Sequence, residues 1–285
     1  MTTEPMLRLQ GVSKRFGAVQ ALTEVDFDIA PGEVVALVGD NGAGKSTLIK
    51  VMSGIFRADS GSFWFDGVER HLQSPAAATA LGISTVYQDL ALCDNLDVVA
   101  NLYLGRESLT VTRLIDEPNL ERDATMLLRR LAVSIPSVRI AVASLSGGQR
   151  QSVAVARATI GEPKLVILDE PTAALGVPQT RQVLNLIRRL REQGLAVIVI
   201  SHNLIDVFAV ANRIAVLRLG RMVASYDAAE STGEQVVAAM TGAFDTGEVE
   251  KVMSDPGAVE LDLSTDVLPA NGADHRPGPT GGSAP

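Results

Sequence analysis

The spacing of apolar residues changes along this chain, and each change predicts a different element. Val25, Phe27 and Ile29 alternate with Asp26 and Asp28, the period of two expected of a half-buried strand. Val34-Val35-Ala36-Leu37-Val38 is apolar without a break, which predicts a strand buried on both faces. A glycine-rich loop follows, and Thr47-Leu48-Ile49-Lys50-Val51-Met52 reads as helix up to Gly54. Phe63-Trp64-Phe65-Asp66-Gly67-Val68 reads as a hairpin, because Asp-Gly suits a type I′ turn. From about Ser74 to Gly161 the pattern is mostly helical. Alanine- and leucine-rich segments at 75–81, 98–104 and 120–131 predict an inserted helical lobe. Buried-strand runs return at Leu165-Val166-Ile167-Leu168 and Ala196-Val197-Ile198-Val199-Ile200. Between them Val183, Ile187 and Leu190 share one helix face, with Pro178 near its start and Gly194 at its end. Strand, helix, strand at this spacing predicts a βαβ unit in a parallel sheet. Residues 213–226 read as a closing hairpin around Gly220. There is no internal repeat, so the chain carries one such unit.

Composition bounds the reading. A chain of 285 residues with 46% hydrophobic content can bury a substantial core. No run approaches the ~18 apolar residues of a membrane span. The opening MTTEPMLRLQ lacks the basic-then-apolar pattern of a secretion signal, which argues against export. Cys93 is the single cysteine, so no internal disulfide forms, as suits a reducing cytosol. The net charge of −8 is uneven: from Asp245 onward eight acids face two bases, a balance of −6, which leaves −2 for residues 1–244. The near-neutral body has no electrostatic footprint for nucleic acid. The acidic tail, residues 243–285, is poor in large apolar side chains and is expected to be disordered. It reads as a solubilising extension or a regulatory tail.

Two segments carry phosphate chemistry. Gly39-Asp40-Asn41-Gly42-Ala43-Gly44-Lys45-Ser46 is a complete P-loop, followed at once by Thr47. Its glycines let backbone N–H groups turn toward a phosphate, Lys45 can reach the β/γ-phosphates, and the Ser46 hydroxyl can ligate Mg²⁺. Leu165-Val166-Ile167-Leu168-Asp169-Glu170 ends a buried strand with two adjacent carboxylates. Side chains alternate across a strand, so the two acids take different roles: Asp169 holds Mg²⁺ directly or through water, and Glu170 orients or deprotonates the attacking water. The second phosphate segment is Leu145-Ser146-Gly147-Gly148-Gln149. Ser146 and Gln149 have capping-box spacing, which accounts for them in any helix. Two glycines in the first turn weaken a helix by about 1 kcal/mol each, and they leave its N–H groups open to an anion.

Taken together, these segments resemble the ATP-binding subunit of an ABC transporter over about residues 6–242. The match includes the P-loop as Walker A, Gln88 in Val86-Tyr87-Gln88-Asp89 as the Q-loop, and Leu145-Ser146-Gly147-Gly148-Gln149 as the signature. It also includes Asp169 and Glu170 as Walker B with catalytic glutamate, and His202 as the switch histidine. Phe16 falls where the family places an adenine-stacking aromatic. Longer runs, among them Asn101-Leu102-Tyr103-Leu104-Gly105-Arg106-Glu107 and the segment after Ser74, are similar to the ribose-, xylose- and fructose-type importers.

The resemblance implies an α/β fold: a P-loop NTPase core with a mixed sheet, an N-terminal antiparallel β subdomain, and a helical subdomain inserted at about 88–160. It implies ATP hydrolysis with Mg²⁺, Gln88 sensing the γ-phosphate or metal, and His202 holding the γ-phosphate. Two copies would form a head-to-tail homodimer, each ATP lying between one P-loop and the other chain's Ser146–Gln149. Transmembrane permease subunits would be direct partners, a solute-binding protein an indirect one, and the chain would sit peripherally on the cytoplasmic face of the membrane. A transporter of another solute, or a soluble family member working on ribosomes or DNA, is the alternative. Soluble members usually have two units per chain, long insertions or basic patches, and none is present here. One departure stands out. After Pro171-Thr172 the family usually has Ser-Ala-Leu-Asp, and this chain has Ala173-Ala174-Leu175-Gly176. Gly176 cannot make the carboxylate contact that couples the two sites.

Overall fold

The computed structural model describes residues 4–243. The expected acidic tail lies outside the described residues. The N-terminal strands β1 (Leu7–Phe16) and β2 (Val19–Ile29) pair antiparallel. With β4 (Ser60–Phe65) and β5 (Val68–Arg70) they make a four-stranded antiparallel sheet in the order β2-β1-β4-β5. The alternation read at residues 25–29 holds, with Val25, Phe27 and Ile29 buried and the aspartates between them exposed. Asp66 and Gly67 join β4 to β5 with φ of 51° and 70°, the two positive angles of a type I′ turn.

A second, six-stranded sheet contains β3 (Val34–Val38), β6 (Ile83–Val86), β7 (Leu165–Asp169), β8 (Ala196–Ile200), β9 (Arg213–Arg218) and β10 (Arg221–Asp227). Its order is β10-β9-β3-β8-β7-β6. All neighbours are parallel except the β9–β10 hairpin, so the sheet is mixed. The apolar runs of β7 and β8 feed both faces. Leu165, Ile167, Ala196, Ile198 and Ile200 pack toward the antiparallel sheet, and Val166, Leu168, Val197 and Val199 pack toward the helices. That is the two-sided burial expected when crossover helices cover a parallel sheet.

Helices α1 (Lys45–Met52) and α2 (Pro75–Ala80) lie in the first third of the chain. The chain leaves the sheet at Val86, runs through α3 (Val98–Tyr103), α4 (Glu117–Arg130) and α5 (Gly147–Ala158), and rejoins it at Leu165. α6 (Val177–Glu192) links β7 to β8 as expected, burying Val183, Ile187 and Leu190. α7 (Leu204–Val210) and α8 (Gly233–Thr241) close a smaller core with β3 and β9 around Val207, Ile214 and Val236.

The sequence pattern predicts mainly helix over residues 74–161, yet β6 lies within that span at the edge of the sheet. Ile83-Ser84-Thr85-Val86 has only two apolar residues, Ile83 buried toward the antiparallel sheet and Val86 toward the helices, with half-buried Ser84 and Thr85 between them. No helix among the described residues is long and apolar enough to cross a membrane.

Candidate functional site

Four adjacent parallel strands bring their carboxyl ends to one edge of the sheet, where open α/β sheets bind ligands. β3 runs into the glycine loop, β6 into Tyr87-Gln88, β7 into Asp169-Glu170, and β8 into Ser201-His202. A crevice of about 510 Å³ opens there. It is lined by Asn41, Gly42, Gly44, Lys45, Ser46 and Thr47 of the loop and α1, together with Gln88, Asp169 and Glu170. Residues far apart in sequence are thus gathered at one place by strand order alone.

The loop is held in a shape that side chains would prevent. Gly39 has φ of 152°, and a Cβ there would overlap the Leu217 carbonyl of β9. Gly44 caps α1 with φ of 105° and offers no side chain to the helix, so the first-turn N–H groups are left for a ligand. Lys45 Nζ reaches back across the loop to the carbonyls of Gly39 at 2.6 Å and Asp40 at 2.9 Å. Burial lowers the Lys45 pKa below its ordinary value, against the opposing pull of Glu170, Asp40 and Asp169. Ala43 is buried and gives its carbonyl to the Gly220 N–H, which fixes the loop to the β9–β10 turn.

The two acids differ in backbone and surroundings, and strand alternation is not the cause, because only Asp169 belongs to β7. Burial and then the neighbouring Glu170 charge push the Asp169 carboxyl above its ordinary value, while Lys45 and Lys50 pull it down. Glu170 sits just beyond β7 with φ of 50°, a left-handed conformation that costs a residue with a Cβ about 1–2 kcal/mol. Its N–H is tied to the Ile200 carbonyl at 3.0 Å, which helps hold that turn. His202 Nδ1 lies 2.9–3.0 Å from the Glu170 carboxylate. An ionised carboxylate only accepts, so Nδ1 carries the proton and Nε2 is left for another partner. The His202 side chain is 73% exposed and that of Glu170 only 17%, so the histidine forms an outer rim beside the acid.

Other anticipated residues lie elsewhere. Phe16, at the end of β1, does not line the crevice; it meets Phe56 edge-on at 5.1 Å, with Lys14 Nζ 5.4 Å from its ring centre. Ser146–Gln149 do not line it either. They open α5 with a complete capping box: Ser146 Oγ accepts from the Gln149 N–H, and Gln149 Oε1 accepts from the Ser146 N–H. Ser146 and Gly147 are exposed, whereas Gly148 is buried against α6. A Cβ on Gly148 would stand 2.6 Å from the Gln179 Cβ. Helix packing therefore supplies a reason for one of the two glycines that capping alone had left unexplained.

The crevice wall also includes Val19, Gln20 and Ala21 at the start of β2, and Leu219 and Gly220 in the β9–β10 turn. The sequence reading did not mark these as site residues. Their contribution is the position of a strand start and a turn, and only Gly220 had a visible signal, as the centre of a hairpin.

Residues 22–173 match the family model described as ABC transporter. The chain is 46% identical over 250 residues to the fructose import ATP-binding protein FrcA of Rhizobium meliloti, covering 85% of this chain and 96% of that one. It is 45% identical over 244 residues to the xylose/arabinose import ATP-binding protein XylG of Sulfolobus acidocaldarius, covering 86% and 96%. Among solved structures it is similar to an ATP-binding cassette of an ABC transporter in its ADP conformation, with a TM-score of 0.73, 26% identity, and coverage of 88% and 99%. A dimeric bacterial ABC transporter cassette matches with a TM-score of 0.67 at 26% identity, covering 78% and 99%.

Proposed function

Because this chain belongs to the ABC transporter family, we propose that it is the subunit that binds and hydrolyses ATP to drive a monosaccharide importer. The observation that carries the chemistry is the pairing of Glu170 with His202 at the mouth of a crevice that also holds Lys45 and Asp169. Glu170 is the general base for the attacking water, and its carboxylate is aimed by the His202 Nδ1–H. Lys45, Thr47 and the N–H groups of the loop from Gly39 to Gly44 bind the triphosphate. His202 holds the γ-phosphate as an imidazolium, donating from Nε2 while Nδ1 donates to Glu170. Phe16, which packs on Phe56 outside the crevice lining, supports the adenine in this reading.

Ser46, Gln88 and Asp169 all face the crevice and offer a hydroxyl, an amide oxygen and a carboxylate, the hard oxygen donors that Mg²⁺ takes. The raised pKa of Asp169 marks a carboxylate that a cation would relieve. Bound there, Mg²⁺ would neutralise charge on the β- and γ-phosphates.

Residues 6–242 form the ATPase domain in this reading, and residues 88–160 its helical lobe. That lobe meets a transmembrane permease, and a solute-binding protein acts through the permease. Two copies pair head to tail, so that Ser146, Gly147, Gly148 and Gln149 of one face the ATP of the other. The monosaccharide assignment rests on the two full-length relatives, whose names specify fructose and xylose/arabinose import. The test is uptake: the chain is reconstituted in vesicles with candidate permease and solute-binding subunits from its own source, and labelled fructose, xylose, arabinose and ribose are supplied. ATP-dependent uptake of one of them is expected, and robust ATP-dependent uptake of a non-sugar solute alone would redirect the assignment.

A further inference from the structure

Gln88 lies between two fixed points. Immediately before it, Tyr87 Oη hydrogen-bonds Ser53 Oγ at 3.0 Å, and Ser53 is the C-cap of α1. Immediately after it the chain turns: the Ala91 N–H meets Asp89 Oδ1, and Ala91 has φ of 48°. This turn presents two consecutive carbonyls to one side. Arg157, on the last turn of α5, donates to both, from Nη2 to the Leu90 oxygen at 2.6 Å and from Nη1 to the Ala91 oxygen at 2.7 Å. The planar fork of a guanidinium suits such a pair, and an ammonium has no equivalent geometry.

Further along, Asn101 is fully buried and holds the same segment by accepting from the Cys93 N–H and donating to the carbonyls of Cys93, Leu96 and Asp97. Arg150, two turns before Arg157 on α5, lies 3.8 Å from Asp94. The loop after Gln88 is therefore strapped to α5 at several points, and the strap nearest Gln88 is Arg157.

We propose that Arg157 is a positioning residue for ATP hydrolysis. By gripping the Leu90 and Ala91 carbonyls it fixes Gln88 at the crevice and ties that placement to the helix that Ser146 caps and Gly147 begins. The inference rests on the reading of Gln88 as a site residue. Arg157 and Ser146 stand at opposite ends of α5, about 16 Å apart at 1.5 Å per residue. A displacement of Gln88 is thus passed to α5 through a rigid, doubly hydrogen-bonded joint.

The test compares Arg157→Met, Arg157→Lys, Gln88→Ala and the double variant Gln88→Ala/Arg157→Met in the full chain, reading kcat and KM for MgATP alongside the melting temperature. Arg157→Met keeps the apolar stem and removes the fork. It is expected to lower kcat about ten- to a hundredfold, as misplacement of a catalytic group does, with KM changed by no more than about twofold because the loop that binds phosphate is untouched. Arg157→Lys, which can satisfy one carbonyl, falls between. The double variant should be no slower than Gln88→Ala, because Arg157 acts only through the Gln88 side chain, which that substitution has already removed.

Effects that multiply in the double variant, wild-type turnover in Arg157→Met, or a KM that rises as far as kcat falls would each overturn the link while leaving the site reading intact. Wild-type turnover in Gln88→Ala would instead remove Gln88 from the site and with it the reading beneath this inference. If Arg157→Met does not fold, Arg157→Lys carries the comparison. Loss of the fold in both makes Arg157 structural and overturns the proposal.

Discussion

Ser146→Arg separates what the first turn of α5 does for its own chain from what it does for a partner. Within the chain Ser146 is an exposed N-cap whose Oγ accepts one hydrogen bond, at 3.3 Å from the Gln149 nitrogen. Losing a serine cap costs about 1 kcal/mol. For a domain of this size that lowers the melting temperature by about 2–4 °C, leaving the fold intact. ATP affinity of the dilute chain should not change, because Ser146 does not line the crevice. Hydrolysis should collapse, because an arginine at that helix end fills the space the partner's γ-phosphate would occupy. The assay is equilibrium binding of a fluorescent ATP analogue at nanomolar protein, beside steady-state phosphate release at micromolar protein. Mixing with a Lys45→Ala chain sharpens it: one composite site of the heterodimer then has both an intact loop and an intact Ser146, so activity partly returns. Gly148→Asp is a poor substitute, because its side chain would collide with Gln179 and unsettle the packing of α5 on α6. Loss of ATP affinity by the dilute Ser146→Arg chain would refute the head-to-tail arrangement, since the residue would then be acting on its own crevice.

Three further outcomes are expected. Glu170→Gln should keep ATP binding and lower turnover about 10²–10⁴-fold, the usual worth of a general base, with an ATP-bound dimer visible by size exclusion; turnover near wild type would remove Glu170 from that role. Asp169→Asn should match or exceed the wild-type melting temperature at pH 7 without nucleotide. A carboxyl whose folded pKa is raised contributes stability at low pH that is lost as pH rises through that pKa, so the variant's advantage should shrink toward pH 4 while Mg²⁺-dependent hydrolysis is lost. Gly176→Asp should fold normally, since Gly176 is the α6 N-cap with an ordinary φ of −73°, and a Cβ there meets only the movable end of Gln179; a Hill coefficient for ATP unchanged from wild type would show that the missing carboxylate does not limit coupling.

Much of this was legible in the sequence because the chemistry sits on strongly patterned elements. β3, β7 and β8 are continuous apolar runs, and each ends at the residues that matter, so a period argument and a motif argument point to the same places. β6 was not legible as a strand, because serine and threonine occupy its half-exposed positions and its neighbours are helical. The direct contact between Glu170 and His202 was not legible either. It depends on β7 and β8 being adjacent in the sheet and on the left-handed turn at Glu170, neither of which local pattern encodes. Arg157 and Asn101 were hidden for a related reason. Their partners are backbone carbonyls, and a carbonyl leaves no trace in residue identity.

The position of α5 bears on how two ATP sites could stay coupled in a chain that has Gly176. Each copy contributes one crevice, and the carboxylate that links crevices elsewhere in the family is absent here. In the proposed head-to-tail pair, α5 would nevertheless reach both sites. Its last turn holds the loop beside Gln88 of its own crevice through Arg157, and in that pair its N-terminal end, Ser146 and Gly147, would face the partner's nucleotide. A twelve-residue helix packed on α6 moves as a unit, since close-packed cores shift between discrete arrangements and do not deform smoothly. Occupancy at one site would then bias the placement of Gln88 at the other without any contact from Gly176. On this argument the residues that set cooperativity are those at the two ends of α5, and Gly176 removes a second, parallel connection between sites that are already joined.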